Sequence, residues 1–183
     1  MSNGNGPCLA RGMAAGIAGG LVASLLMNLF IESVGPKLTN GLQTDAERAR
    51  AEREAAEATE EPAARKEDAT MKAAGALAKA FAGRELTYEQ KQVGGPIVHY
   101  AFGAAMGGLY GALSEYSPIV TAGAGAAYGG VLFAGADMIA VPALNLSGSS
   151  GEATISSLAT PFAAHLVYGA VTEMVRRLLR ATI

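Results

Sequence analysis

Charge is scarce in this sequence except in one place. Only 16% of the 183 residues are Asp, Glu, Lys or Arg, and the section from Glu32 to Glu115 holds 13 of the 16 acids and 10 of the 14 bases. Tryptophan is absent, and there are one cysteine and two histidines. With Cys8 alone, no intrachain disulfide can form. No apolar run precedes Cys8, as a lipid-modified N-terminal cysteine would require, so it reads as an incidental free thiol. The sequence has no CxxC, HExxH or H-x-x-x-H, so no local metal motif is present. It also lacks a Walker loop and G-x-S-x-G, and the glycines of GAGAAYGG lie inside an apolar run without the strand context of a nucleotide fingerprint. A net charge of −2, with no basic patch beyond the C-terminal arginines, argues against nucleic acid as a partner. The expectation is a non-catalytic protein with no cofactor.

What is abundant is small and apolar: 50% of residues are hydrophobic and 24 are glycine. Four runs approach the roughly 20 uncharged residues that a bilayer-spanning helix needs. They are 13–31, 97–113, 119–144 and 158–175. Their Gly and Ala content makes each only marginally hydrophobic, and the membrane reading is taken over that of a soluble bundle with buried small-residue helices. The first run lacks a convincing cleavage site in LFIESVGPKL and is expected to stay as an uncleaved helix. The fold expected is all-α: a four-helix transmembrane bundle with a charged, partly helical loop between helices 1 and 2. It divides into residues 1–36 (N-terminus and helix 1), 37–93 (the charged Ala/Glu-rich loop with a short amphipathic helix) and 94–183 (helices 2–4).

Within the loop, Asp45 and Glu47 suit a helix N-terminus. Pro62 is expected to divide the loop into a charged, solvated first half and a second half bearing the amphipathic helix. There Met71, Ala74, Leu77, Ala78 and Phe81 share one face, which either lies on the membrane surface or packs on the bundle. Arg11 before helix 1, Arg176, Arg177 and Arg180 after helix 4, and the absence of Lys or Arg from NLSGSSGEATISS put both termini in the cytoplasm. The 10 bases of the long loop oppose that assignment.

Two internal echoes stand out. HYAFGA from His99 and HLVYGA from His165 share H-x-x-[FY]-G-A, and AGIAGGLV more weakly matches GAAYGGVL. Together they suggest two parallel hairpin repeats. Small residues recur every fourth position at Gly12, Gly16 and Gly20, at Gly103, Gly107 and Gly111, and at Ala126, Gly130 and Ala134. In lipid such GxxxG-type ridges allow close helix packing, here expected within a tight bundle, in a homo-oligomer, or against other membrane-protein subunits. Of the polar residues inside the apolar runs, Glu173 has Arg176 and Arg177 three and four positions on, the spacing of an interfacial ion pair. Asp137, His99 and His165 are costly in a bilayer and form a candidate intramembrane polar site with Tyr100 and Tyr128. Two roles stay open for them: interhelical hydrogen bonds, or a proton or cation relay in a small transporter or proton-conducting protein.

PIVHYAFGAAMGGLYGALSEYSPIVTAG, GADMIAVPALNL and AAHLVYGAVTEMVRRLLR resemble the YagU-like proteins, bacterial inner-membrane proteins grouped under a domain of unknown function. The matching positions are His99, Glu115, Pro118, Pro142, His165, Glu173, Arg176, Arg177 and Arg180. The resemblance covers helices 2–4 and leaves out the charged arm. It implies a multi-pass protein of the bacterial inner membrane and supplies no mechanism.

Overall fold

The structure, a computed structural model, describes residues 7–60, 67–146 and 154–182. Among them every regular element is helical. Helix α1 is Leu9–Ser33, α2 Gly35–Leu42, α3 Asp45–Glu60, α4 Ala69–Ala82 and α5 Tyr88–Ser114. A 3₁₀ segment, Pro118–Gly125, leads into α6 (Ala126–Phe133), which continues as a π-helical segment (Ala134–Ala140) and a short α7 (Val141–Ala143). Helix α8 is Ile155–Thr182. Pro62 and residues 147–153 of the loop between the last two apolar runs lie outside the described residues.

Helix α1 is the hub, packed between α5 and α8, and α6 packs on α8. Gly12 meets Gly111, Gly16 meets Gly107 and Gly20 meets Gly103, so α1 and α5 are antiparallel. Gly19 meets Thr172 and Gly35 meets Thr160, so α1 and α8 are antiparallel too. Gly125 meets Gly169 and Gly129 meets His165, which makes α6 antiparallel to α8. The ridges of α1 and α5 are thus consumed against each other inside one chain. A Cβ on Gly16 would lie 2.1 Å from the Gly107 carbonyl oxygen and one on Gly111 2.0 Å from that of Gly12, so only glycine lets the backbones approach this closely.

The third ridge sits one residue away from its expected place. A Cβ on Gly130 would find its nearest neighbour at 3.9 Å, whereas one on Gly129 would lie 2.1 Å from the His165 carbonyl oxygen. The cause is the chain reversal before α6. Gly123, Ala124 and Gly125 all have positive φ, so the apolar run expected to be helical from residue 119 becomes α-helical only at Ala126, and the break resets its phase. The weaker echo fails in space for a related reason: with Gly103 and Gly169 as counterparts, Gly20 corresponds to Gly125, whereas the sequence match pairs it with Gly130.

The distribution of apolar groups is inverted relative to a water-soluble core. The largest fully buried side chains are Tyr110, Glu173, Thr172 and Ser24, while Leu21, Leu25, Leu29, Val131 and Ile139 lie exposed. Among the described residues two helices, not four, are long and apolar enough to cross a membrane: Leu9–Ser33 and the kinked run Pro118–Ala143. Helices α5 and α8 have the length, at 27 and 28 residues, but Gly, Ala, Ser, Thr, the histidines and Glu173 dilute their apolar character.

The charged segment is tied down at both ends. Thr44 and Glu47 cap α3: the Thr44 N–H donates to Glu47 Oε2 (2.7 Å) and Glu47 N–H donates to Thr44 Oγ1 (3.3 Å). The Ser156 hydroxyl donates to Glu47 Oε1 (2.9 Å), which fastens α3 to the first turn of α8. The Thr44 N–H, helped by hydroxyls of Thr154 and Ser156, holds the Glu47 carboxyl down at about 2. A carboxyl lowered in the folded state stabilises above its unfolded pKa and loses that contribution as pH falls through the folded value. Helix α3 is therefore expected to stay docked on α8 down to about pH 2 and to release in Glu47→Gln near neutral pH. Distances between spin labels on α3 and α8 check both results.

Helix α4 does half of each thing its pattern allows. Asp68 caps it by accepting from Met71 N–H (2.8 Å), and Met71 and Ala74 are buried against Gly94 and Gly95 of α5. Lys91 on α5 pairs with Glu67 at 2.8 Å. Beyond that point the face is open, with Phe81 87% exposed.

Candidate functional site

One cavity of about 370 Å³ lies among α1, α4, α5, α8 and the π-helical segment, in the half of the bundle nearer α4. His99, Asp137 and His165 all line it. Each lies within five residues of a proline inside its helix: Pro96, Pro142 and Pro161. Proline removes an N–H donor from the helical ladder and crowds the preceding turn. On α6 the outcome is the π-helical segment, in which Val141 N–H bonds to the Ala136 carbonyl five residues back. Asp137 sits in this widened turn, a distortion that concentrates at functional sites.

His165 is buried and its Nδ1 lies 2.8 Å from the Pro161 carbonyl oxygen, to which it donates. Asp137 Oδ2 is 3.7 Å from His165 Nδ1, an electrostatic contact beyond hydrogen-bond length. Phe133 meets the His165 ring edge-on at 5.7 Å. His99 is near enough for its charge to interact with His165, Asp137 and Asp68. Its Nε2 is buried without a hydrogen-bond partner. The Ser24 side chain is 1% exposed, lines the same cavity and also has no hydrogen-bond partner.

The repeated H-x-x-[FY] motif acquires a spatial meaning here. Residues three apart share a helix face, and all four of His99, Phe102, His165 and Tyr168 line the cavity. Tyr168 donates to the Gly103 carbonyl at 2.5 Å and so joins α8 to α5 across the cavity's inner end. Tyr100 and Tyr128 are not in the lining. Tyr100 accepts a long bond from Asn28 Nδ2 (3.4 Å), and Tyr128 donates to the Met106 carbonyl (2.9 Å) and packs on the Tyr110 ring at 4.8 Å. Ser24 and Tyr168 are the lining residues missed by the sequence reading. Ser24 continues the Gly12, Gly16, Gly20 interval by one more step, and Tyr168 occupies the aromatic position of the echo. No cluster of three or more His, Cys, Asp or Glu among the described residues is tight enough to hold a metal.

At the other end of the bundle is a second polar cluster. Glu173 is 1% exposed and accepts from Tyr110 Oη (2.8 Å), Arg176 Nε (2.7 Å), Arg176 Nη2 (3.0 Å) and Arg177 Nε (2.6 Å). Glu115, at the end of α5, takes two bonds from Arg180, at 2.7 and 2.8 Å, and a third from the Cys8 N–H at 2.9 Å. Arg180 foremost holds the Glu115 carboxyl below the usual range. Arg176 bridges the two carboxylates, with Nη1 3.7 Å from Glu115. The cluster therefore ties α1, α5 and α8 together where α1 begins.

The family described as a protein of unknown function, DUF1440, matches residues 47–174. The chain belongs to the DUF1440 family. No curated protein and no solved structure is significantly similar to it. The DUF1440 match takes in α3, α4 and all three titratable cavity residues, so the charged arm left out of the sequence resemblance is part of the family's domain.

Proposed function

We propose that this DUF1440 protein is a small, non-catalytic transporter or proton-conducting protein of the bacterial inner membrane, spanning it with α1, α5, α6–α7 and α8 and holding both termini in the cytoplasm. Exposed aliphatic side chains around a small-residue and polar interior support the membrane setting. The YagU-like signature supports the bacterial inner membrane. Arg11, Arg176, Arg177 and Arg180 at one end support the orientation.

The observation that carries the functional reading is the convergence of Asp137, His99 and His165, from three helices, on one cavity. Intramembrane ionisable groups are expensive, and grouped around a cavity they offer a proton successive acceptors. Asp137 is 32% exposed, and the buried His165 lies 3.7 Å from it. The alternative, self-association through glycine seams, keeps little surface because the Gly12, Gly16, Gly20 and Gly103, Gly107, Gly111 seams face each other within the chain.

Liposomes holding the purified protein are expected to show proton flux above empty liposomes, falling to background in an Asp137→Asn, His165→Ala double variant at matched insertion. Equal flux in protein-free and protein-containing liposomes would overturn the conducting role.

A further inference from the structure

We propose that the cavity binds a hydrophobic organic cation, one whose charge is wrapped in carbon, with Asp137 as its counter-ion and Ile31, Phe102 and Leu144 around its apolar body. This names a substrate class for the transport reading, and it rests on that reading's claim that the bundle lies in a bilayer.

The charge of the wall is one-sided. Among the described residues, Asp137 is the one acid that lines the cavity, and no Lys or Arg lines it. A carboxylate held among apolar groups is costly unless a positive charge sits beside it. The partner within the chain meets that need only in part, because His165 Nδ1 stays 3.7 Å away and already donates to the Pro161 carbonyl. Asp137 is also part-exposed, so an incoming charge can reach it. Inward, the bond from Tyr168 to the Gly103 carbonyl joins α8 to α5 and closes the cavity.

The kind of cation follows from the rest of the wall. Ile31, Phe102 and Leu144 line the cavity and are themselves exposed, so its mouth is apolar. A compact inorganic cation or a bare ammonium is strongly hydrated, and replacing that water takes several oxygen ligands or acceptors. The lining offers one carboxylate among mainly aliphatic and aromatic neighbours. A quaternary ammonium has no N–H to satisfy, and its positive surface suits the face of an aromatic ring such as Phe102. An anionic ligand would be repelled by Asp137, and a neutral one would leave the carboxylate unmatched. The volume of about 370 Å³ lies within the range of small-molecule sites.

The test is equilibrium dialysis of the full chain in nanodiscs against benzyltrimethylammonium. Its neutral isostere neopentylbenzene and the anion 3-phenylpropionate are the comparisons, and empty nanodiscs are the blank. Saturable uptake of the cation is expected, with the other two compounds weaker by about 10- to 100-fold, the range for losing one partly shielded charge contact. Asp137→Asn is expected to weaken the cation by a similar factor, and Phe102→Ala by about 3- to 10-fold, the size of a cation–π contact. Equal saturable uptake of the neutral isostere, or no saturable uptake of the cation, would overturn the proposal. Both results come from the unmutated protein, so neither depends on a variant folding. Cation binding without proton flux would sink the conducting role and leave this site standing. Flux without cation binding would do the reverse.

Discussion

Gly107→Ala and Gly129→Ala are each expected to disrupt the bundle, whereas Gly130→Ala, one residue along the same helix, is expected to leave it intact. A new Cβ at position 107 would lie 2.3 Å from the Gly16 carbonyl oxygen and 2.7 Å from the Gly20 Cα, and one at 129 would lie 2.1 Å from the His165 carbonyl oxygen. All of these are backbone atoms of a facing helix, so relief requires the helices to separate and give up contact along the seam. Alanine brings up to about 1 kcal/mol of helix propensity over glycine. Overpacking costs about 1–3 kcal/mol, and more where nothing can yield. The clash therefore wins at 107 and 129, while at 130 the nearest atom would be 3.9 Å away and propensity wins. Denaturation in detergent, followed by circular dichroism, measures the order. The reverse order, with 130 the less tolerant position, would mean that α6 packs on α8 in the phase of the sequence ridge and not in the observed one.

That pair also marks where sequence reasoning stops. The four-residue interval of glycines was legible because it needs only helical geometry, and it locates the α1–α5 seam at Gly12, Gly16, Gly20, Gly103, Gly107 and Gly111. The phase of α6 was not, because Gly123, Ala124 and Gly125 reverse the chain with positive φ, and an alanine among them gives no sign of it. The cost of burying Asp137, His99 and His165 singled them out, but nothing local shows that Pro142 widens the helix at Asp137 into a π turn. Tyr100 and Tyr128 were reasonable partners by depth along their helices. Their rotational positions point them elsewhere, to Asn28 and to the Met106 carbonyl. Depth follows from counting residues, whereas rotation depends on which face the neighbouring helix covers.

Glu173→Ala is expected to cost about 3–5 kcal/mol, the range for removing one partner of a buried ion pair. The carboxylate is 1% exposed, and its loss strands the Tyr110 hydroxyl, whose residue is fully buried, together with Arg176, which is 11% exposed. Arg177→Ala is the contrast. That guanidinium is 60% exposed, and even with a 2.6 Å bond its removal should cost within the 0–1 kcal/mol of a surface pair. Glu173→Gln should fall between the two, since an amide can still accept from Tyr110 but faces two arginines without a charge. If the cluster is structural, Glu173→Ala lowers the detergent-denaturation midpoint, while any protein that still inserts keeps its proton flux, because Glu173 lies outside the cavity lining. Asp137→Asn should behave in the opposite sense, losing flux at little cost in stability, because its closest charge contact is the 3.7 Å approach of His165. A Glu173→Ala protein that folds normally but fails to conduct protons would show instead that the two ends of the bundle are coupled through α8.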